Sequence, residues 1–119
     1  MMSTRRSSEP LWWLLFAAGG TVAAFLLPVQ IFLTGVIAPL GWAPDAFHYE
    51  RVVALLRHPA SRLYVLALIS LPLFHWAHRF RYGVIEGFQL HRAGRLLAAA
   101  CYGTAVVLTL VAAVVLARL

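Results

Sequence analysis

The stretch LWWLLFAAGGTVAAFLLPVQIFLTGVIAPL, residues 11–40, holds thirty residues and no charged side chain. Spanning a hydrocarbon core of ~30 Å takes about 20 helical residues, so this run crosses a bilayer with length to spare. Two further uncharged runs follow, Leu63 to Ala77 and Leu96 to Ala117. The third is long enough alone. The second has only 15 residues, and it reaches spanning length when Pro59 to Ser61 and the residues around His78 join the same helix. The sequence therefore predicts an all-α membrane protein with three transmembrane helices, at approximately 10–40, 59–80 and 94–118. A short interfacial helix is expected between the first and second, within 45–58. Residues 1–119 form one membrane domain on this reading. Almost no chain is left to build a soluble catalytic domain. Any chemistry must sit at a membrane surface, between helices, or on a partner.

Composition agrees. The chain is 62% hydrophobic and 12% charged, where a soluble domain carries roughly a quarter charged residues. All ten basic residues are arginine, and the net charge is +6. In a soluble protein that charge would suggest nucleic acid. Here the arginines flank apolar runs, so membrane topology explains them and no nucleic-acid partner is expected. The single cysteine, Cys101, lies inside the third run. It reads as a small apolar residue, and alone it cannot hold an iron–sulphur cluster, which needs about four ligands. No G-x-G-x-x-G is present, so dinucleotide binding has no support. The first run is longer than the apolar core of a signal peptide, which makes it an uncleaved first helix.

Six arginines near the helix ends (Arg5, Arg6, Arg79, Arg81, Arg92, Arg95) fall on one side of the membrane and four (Arg51, Arg57, Arg62, Arg118) on the other. The positive-inside rule then places the N-terminus and the second connection in the cytoplasm. The C-terminus falls on the outer side. The first helix is expected to start near Glu9-Pro10, with Ser7 or Ser8 as cap. Pro28 removes a backbone hydrogen bond at mid-membrane and frees the carbonyl of Ala24, which Thr21 or a neighbouring helix can satisfy. Pro39, Gly41 and Pro44 end that helix. Asp45 is a cap for the interfacial helix. Pro72 frees the carbonyl of Leu68 and predicts a second kink. Gly103 suits close helix packing.

The polar residues gather at the cytoplasmic edge. The second helix ends Phe74-His75-Trp76-Ala77-His78-Arg79-Phe80-Arg81-Tyr82, and the first begins Glu9-Pro10-Leu11-Trp12-Trp13. Both segments lie at one depth in this topology, so indoles, imidazoles and guanidiniums are expected to converge there. Such a set suits a flat, lipid-soluble ligand with polar oxygens, such as a quinone. Indole N–H and imidazole hydrogen-bond the oxygens, and arginine stabilises negative charge on a reduced ring. Each residue also has a plainer reading. Trp12, Trp13 and Trp76 fit an aromatic belt, and Arg79 and Arg81 fit topological anchoring. His75 and His78 share a helix face, as interfacial hydrogen-bonding residues, quinone-site residues or a haem ligand. A low-spin haem takes two axial histidines from two helices; the first and third helices have none, so a partner would supply the second. His48, His58 and His91 read as solvated.

Three motifs in register carry a family resemblance. The segment from Arg6 through Ser7-Ser8-Glu9-Pro10-Leu11-Trp12-Trp13 to Gly20 resembles the opening of the fumarate reductase D-subunit. Pro39-Leu40-Gly41 and Leu71-Pro72-Leu73 followed by His78-Arg79-Phe80 resemble its later motifs, and the likeness covers nearly the whole chain. The resemblance implies a hydrophobic membrane anchor, non-catalytic alone, in a quinol:fumarate reductase complex of the bacterial inner membrane. It implies three partners: a flavoprotein carrying FAD, an iron–sulphur subunit, and a second three-helix anchor, the C-subunit. It implies menaquinol as reductant, since its low potential favours fumarate reduction, at a site shared with the partners. In the E-P-x-x-W opening the matching tryptophan is Trp13; in the H-R pair the matching residues are His78 and Arg79. These three are the expected quinone-site residues, with no cofactor bound by this chain alone. The sequence departs from the family pattern after Arg79, where Arg81 and Tyr82 stand in place of further histidines. Two other readings stay open on the residues: a haem-b-bearing anchor of succinate dehydrogenase, and a small structural or transport membrane protein. Against transport, no acidic residue lies within the uncharged runs.

Overall fold

The computed structural model describes residues 9–119. Those residues form helices, with no strand among them. Three of these helices are long and apolar enough to cross a membrane. We label the first α1 (Pro10–Ile37), the second long one α3 (Pro59–Gly87) and the last α4 (Gly94–Arg118). A short α2 (Tyr49–Arg57) lies between α1 and α3. The expected caps at Ser7 or Ser8, and Arg5 and Arg6, lie outside the described residues.

α1 is not a uniform α-helix. Two π-turns, Val22–Leu26 and Leu33–Ile37, flank a regular segment, Leu27–Phe32. The first explains how Pro28 is accommodated. A proline ring collides with the carbonyl four residues back. The wider π-turn shifts the ladder instead, so the Leu27 N–H bonds the carbonyl of Val22. Thr21 does not rescue the Ala24 carbonyl, contrary to expectation; its hydroxyl donates to Ala17 O at 3.0 Å. Thr34 and Thr104 likewise donate to the carbonyls of Gln30 and Ala100. Each hydroxyl finds its acceptor one turn back on its own helix because lipid offers none.

Gly41 terminates α1 in the left-handed region (φ 66°). The N–H of Gly41 bonds Ala38 O at 3.1 Å, and that of Trp42 bonds Ile37 O at 3.3 Å. This reciprocal pair satisfies the last carbonyls of the helix, which accounts for a helical reading as far as residue 40. The interfacial helix starts at Tyr49, four residues after Asp45, and its N-cap is His48. Asp45 falls instead in a turn closed by Ala46 N to Ala43 O at 3.1 Å. His58 is more than a solvated side chain: it ends α2 and caps α3, accepting from the Ala60 N–H on Nδ1 at 3.2 Å. Arg62 ties α2 to α3 by donating from Nε to Leu56 O at 3.2 Å.

α3 runs seven residues beyond the expected end near 80, to Gly87. Hydropathy marks where lipid ends, but arginine, tyrosine and glutamate all continue a helix at small cost. The stop comes where Gln89 turns to positive φ (55°) and Leu90 N bonds Ile85 O at 3.0 Å. A short 3-10 turn, His91–Ala93, leads into α4.

α3 is the central element, with α1 and α4 both packed against it. Small residues make its joint with α4: Ala77 and Ala105 are fully buried beside Cys101, under Leu73, Phe74 and Tyr102. Cys101 is thus a packing residue. A Cβ added at Gly103 would meet nothing within 4 Å, so this glycine takes no part in close helix packing here. Gly19 does the work expected of a small packing residue, at the joint between α1 and α3. Most leucines and valines of α1 and α4 face outward, as a surface covered by lipid or by a partner requires.

Candidate functional site

The polar end of the bundle is built around Phe16. Gly19 and Gly20 lie one turn after it on α1, and without side chains they let the helix close onto α3. A Cβ on Gly19 would strike the carbonyl of Leu71 and come within 2.8 Å of His75 Cβ. One on Gly20 would lie 2.9 Å from His75 Cε1. This approach brings the Phe16 ring onto His75, stacked at 4.3 Å between centroids and 17° between planes. His75 Nδ1 lies 2.9 Å from Phe16 O. A carbonyl only accepts, so Nδ1 carries the hydrogen and His75 acts as a bolt between α1 and α3.

His78, one turn further on, is arranged differently. Its Nδ1 lies 2.8 Å from the Tyr102 hydroxyl of α4. Its ring is tilted against Phe16 at 4.8 Å and against Tyr82 at 4.9 Å. Trp13 meets Phe16 in a T-shaped arrangement, at 6.0 Å and 89°. The result is an open cavity of about 450 Å³, lined by Trp13, Phe16, His78, Arg79, Tyr82, Gly83 and Glu86. That volume lies in the range of small-molecule sites, ~300–1,000 Å³.

Trp13, His78 and Arg79 therefore share one cavity wall. The wider convergence expected of the other polar residues does not occur. Trp76 stacks on Phe80 at 5.1 Å and Trp12 stands outside the cavity lining. His75 is committed to packing. The Arg81 guanidinium lies over the Tyr82 and Tyr102 rings, at 5.1 and 6.0 Å from their centroids, with Nε buried and unpartnered. The helical period separates these neighbours: 78, 79, 82, 83 and 86 follow one face, and 76 and 80 another. That spacing could have added Tyr82, Gly83 and Glu86 to the sequence reading. Glu86 lies on the part of α3 beyond residue 80, past the uncharged run. Nothing in the sequence pairs Tyr102 with His78 across 24 positions. No cluster of metal-ligating side chains occurs among the described residues.

Three helices long and apolar enough to cross a membrane, with a polar cavity at one end, describe a small helical membrane protein. Comparison with known proteins specifies it. A family model described as the fumarate reductase D-subunit matches residues 3–117. The fumarate reductase D-subunit of Mycobacterium tuberculosis (strain ATCC 25618 / H37Rv) is 51% identical over 106 residues, covering 87% of this chain and 82% of that one. That of Aliivibrio salmonicida (strain LFI1238) is 38% identical over 115 residues, covering 95% and 93%. The chain belongs to the fumarate reductase D-subunit family. It is a membrane-anchor subunit of a multi-subunit reductase complex.

Proposed function

We propose that this chain, with a C-subunit anchor, attaches the iron–sulphur and flavoprotein subunits of a quinol:fumarate reductase to the bacterial inner membrane, and supplies part of the menaquinol site. The observation that carries the reading is the shared cavity of Trp13, His78 and Arg79. Its chemistry suits the two redox forms of a quinone. The indole N–H of Trp13 donates, Arg79 offers several donors and a fixed positive charge, and His78 offers a ring nitrogen. Phe16 and Tyr82 supply aromatic surface for a flat ring. Electrons leave through the clusters of the iron–sulphur subunit to FAD on the flavoprotein, where fumarate is reduced. The arginine distribution supports a cavity near the cytoplasmic side, with the N-terminus there and the C-terminus outside.

The docking surface for the iron–sulphur subunit comprises residues 1–10, of which 1–8 lie outside the described residues, and the segment 79–95. Phe88 is 73% exposed in that segment, which also carries the exposed Arg92 and Arg95. Aromatic and arginine side chains are the types enriched at interfaces. Tagged chain extracted in mild detergent from native membranes is expected to bring down a flavoprotein, an iron–sulphur protein and a second small anchor, identified by mass. Recovery of the chain alone would refute the anchoring assignment. In that complex, trypsin cleavage at Arg92 and Arg95 is expected to slow at least ~10-fold relative to the isolated chain, as burial of a cleavable backbone requires. Equal cleavage would place the iron–sulphur subunit elsewhere. Trp13→Leu is expected to raise the KM for menaquinol several-fold, about the loss of one hydrogen bond and some ring contact, with viologen-driven fumarate reduction unchanged.

A further inference from the structure

His75 and His78 stand three residues apart on α3, and their Nδ1 atoms face partners of different kinds. The Phe16 carbonyl opposite His75 accepts only, which fixes one tautomer. The Tyr102 hydroxyl opposite His78 both donates and accepts. His78 can therefore keep its Nδ1 hydrogen bond with the ring hydrogen on either nitrogen; only the hydroxyl hydrogen has to turn. Its other nitrogen, Nε2, has no protein hydrogen bond among the described residues, and the side chain lines the cavity.

We propose that Tyr102 is a positioning residue that lets neutral His78 present either tautomer to the cavity, so that Nε2 accepts from a ligand hydroxyl and Nε2–H donates to a ligand carbonyl. A ligand whose oxygens alternate between those two forms is a quinol/quinone pair. The inference rests on the quinol-site reading above and assigns His78 the same contact in both redox states. A carbonyl or carboxylate in place of the phenol would lock the ring, and one redox state would then meet a mismatched nitrogen.

The surroundings hold the phenol in place without tying up its hydroxyl. Tyr102 is half-buried on α4 and packs on the Ala77, Cys101 and Ala105 cluster. The Arg81 guanidinium lies over its ring at 6.0 Å, and over that of Tyr82 at 5.1 Å. Tyr82 in turn meets the His78 ring at 4.9 Å. Ring positions are thereby set by packing and cation–π attraction. His78 is the one hydrogen-bond partner of the Tyr102 hydroxyl among the described residues.

The test uses the complex purified with its partner subunits, 15N-labelled at histidine and reconstituted in nanodiscs. Solid-state NMR reports which ring nitrogen is protonated, and His78→Gln identifies the His78 signals. With menaquinol bound, the hydrogen is expected on Nδ1; with menaquinone bound, on Nε2. In Tyr102→Phe Nδ1 loses its partner in both tautomers, so the ring is held less well against either ligand and that response is expected to weaken. Menaquinol-driven turnover should fall roughly three- to tenfold, the loss of one hydrogen bond, with viologen-driven fumarate reduction unchanged. One tautomer with both ligands, or a wild-type response and turnover in Tyr102→Phe, would overturn the inference. Should Tyr102→Phe fail to assemble, the wild-type comparison decides alone. Arg79→Leu separates the two levels of the argument. If it loses quinol turnover while His78 keeps one tautomer, only the inference falls; if it retains quinol turnover and His78 responds to neither ligand, the site reading falls with it.

Discussion

Replacing Arg79 with leucine is expected to lower menaquinol-driven fumarate reduction by about 100-fold or more, the scale of losing a donor aimed at developing charge. Fumarate reduction from reduced viologen should stay at the wild-type rate, because that donor bypasses the membrane site. Arg79 is exposed at the cavity wall and makes no ion pair or protein hydrogen bond among the described residues. Its removal therefore breaks no hydrogen bond or ion pair among the described residues, and leucine is as good a helix former as arginine. In a complex shown to be assembled, the lost activity would report on the ligand rather than on the fold. A quinol being oxidised passes through states with negative charge on its oxygens, and a fixed cation beside them lowers the barrier. Arg79→Lys should recover part of the rate, since it restores the charge but not the planar fork of donors. An assembled Arg79→Leu complex with normal menaquinol turnover would remove Arg79 from the mechanism.

The fold is legible in the sequence because its strongest constraint is the simplest. Uncharged runs of spanning length admit one stable solution in lipid, and helix ends announce themselves through Gly41 and Pro59. Sequence and structure part where local chemistry competes with that constraint. Asp45 is a good cap residue by type, but the turn at Ala43 to Phe47 occupies the chain first. α3 outruns its expected end because charge marks the membrane edge while the helix continues into water. The site is legible only as far as helical spacing reaches. Trp13, His78 and Arg79 can be named, since the resemblance lies in contiguous motifs. The roles of Phe16 and Tyr102 depend on which faces of α1 and α4 turn toward α3. That choice is made by small residues, Gly19 on one side and Ala77 with Ala105 on the other. Gly103 is equally suited on sequence, and only packing separates it from Gly19.

That separation gives the second large effect. Gly19→Ala is expected to destabilise the α1–α3 joint by about 1–3 kcal/mol, the range for overpacking a closed contact, and Gly19→Leu to prevent assembly. The added Cβ would meet the backbone carbonyl of Leu71, which cannot swing aside as a side chain can. α1 must then move away from α3, taking Phe16 off His75 and Trp13 off the cavity. Gly20→Ala meets only the His75 ring, at 2.9 Å from Cε1, and a rotation of that ring can relieve it. Its cost should be smaller, limited mainly to the weakened hydrogen bond between His75 and Phe16, about 1 kcal/mol. Gly103→Ala adds a methyl group in open space and removes a helix-weakening glycine, so it should be neutral or stabilising by up to ~1 kcal/mol. The ordering is measured by complex yield and by the detergent-dependent loss of menaquinol activity in each assembled variant. Only displacement of α1 predicts that Gly19→Ala raises the menaquinol KM along with its lability. Equal behaviour of Gly19→Ala and Gly103→Ala would mean that α1 does not close on α3 through this glycine, and the cavity wall formed by Trp13 would lose its physical basis.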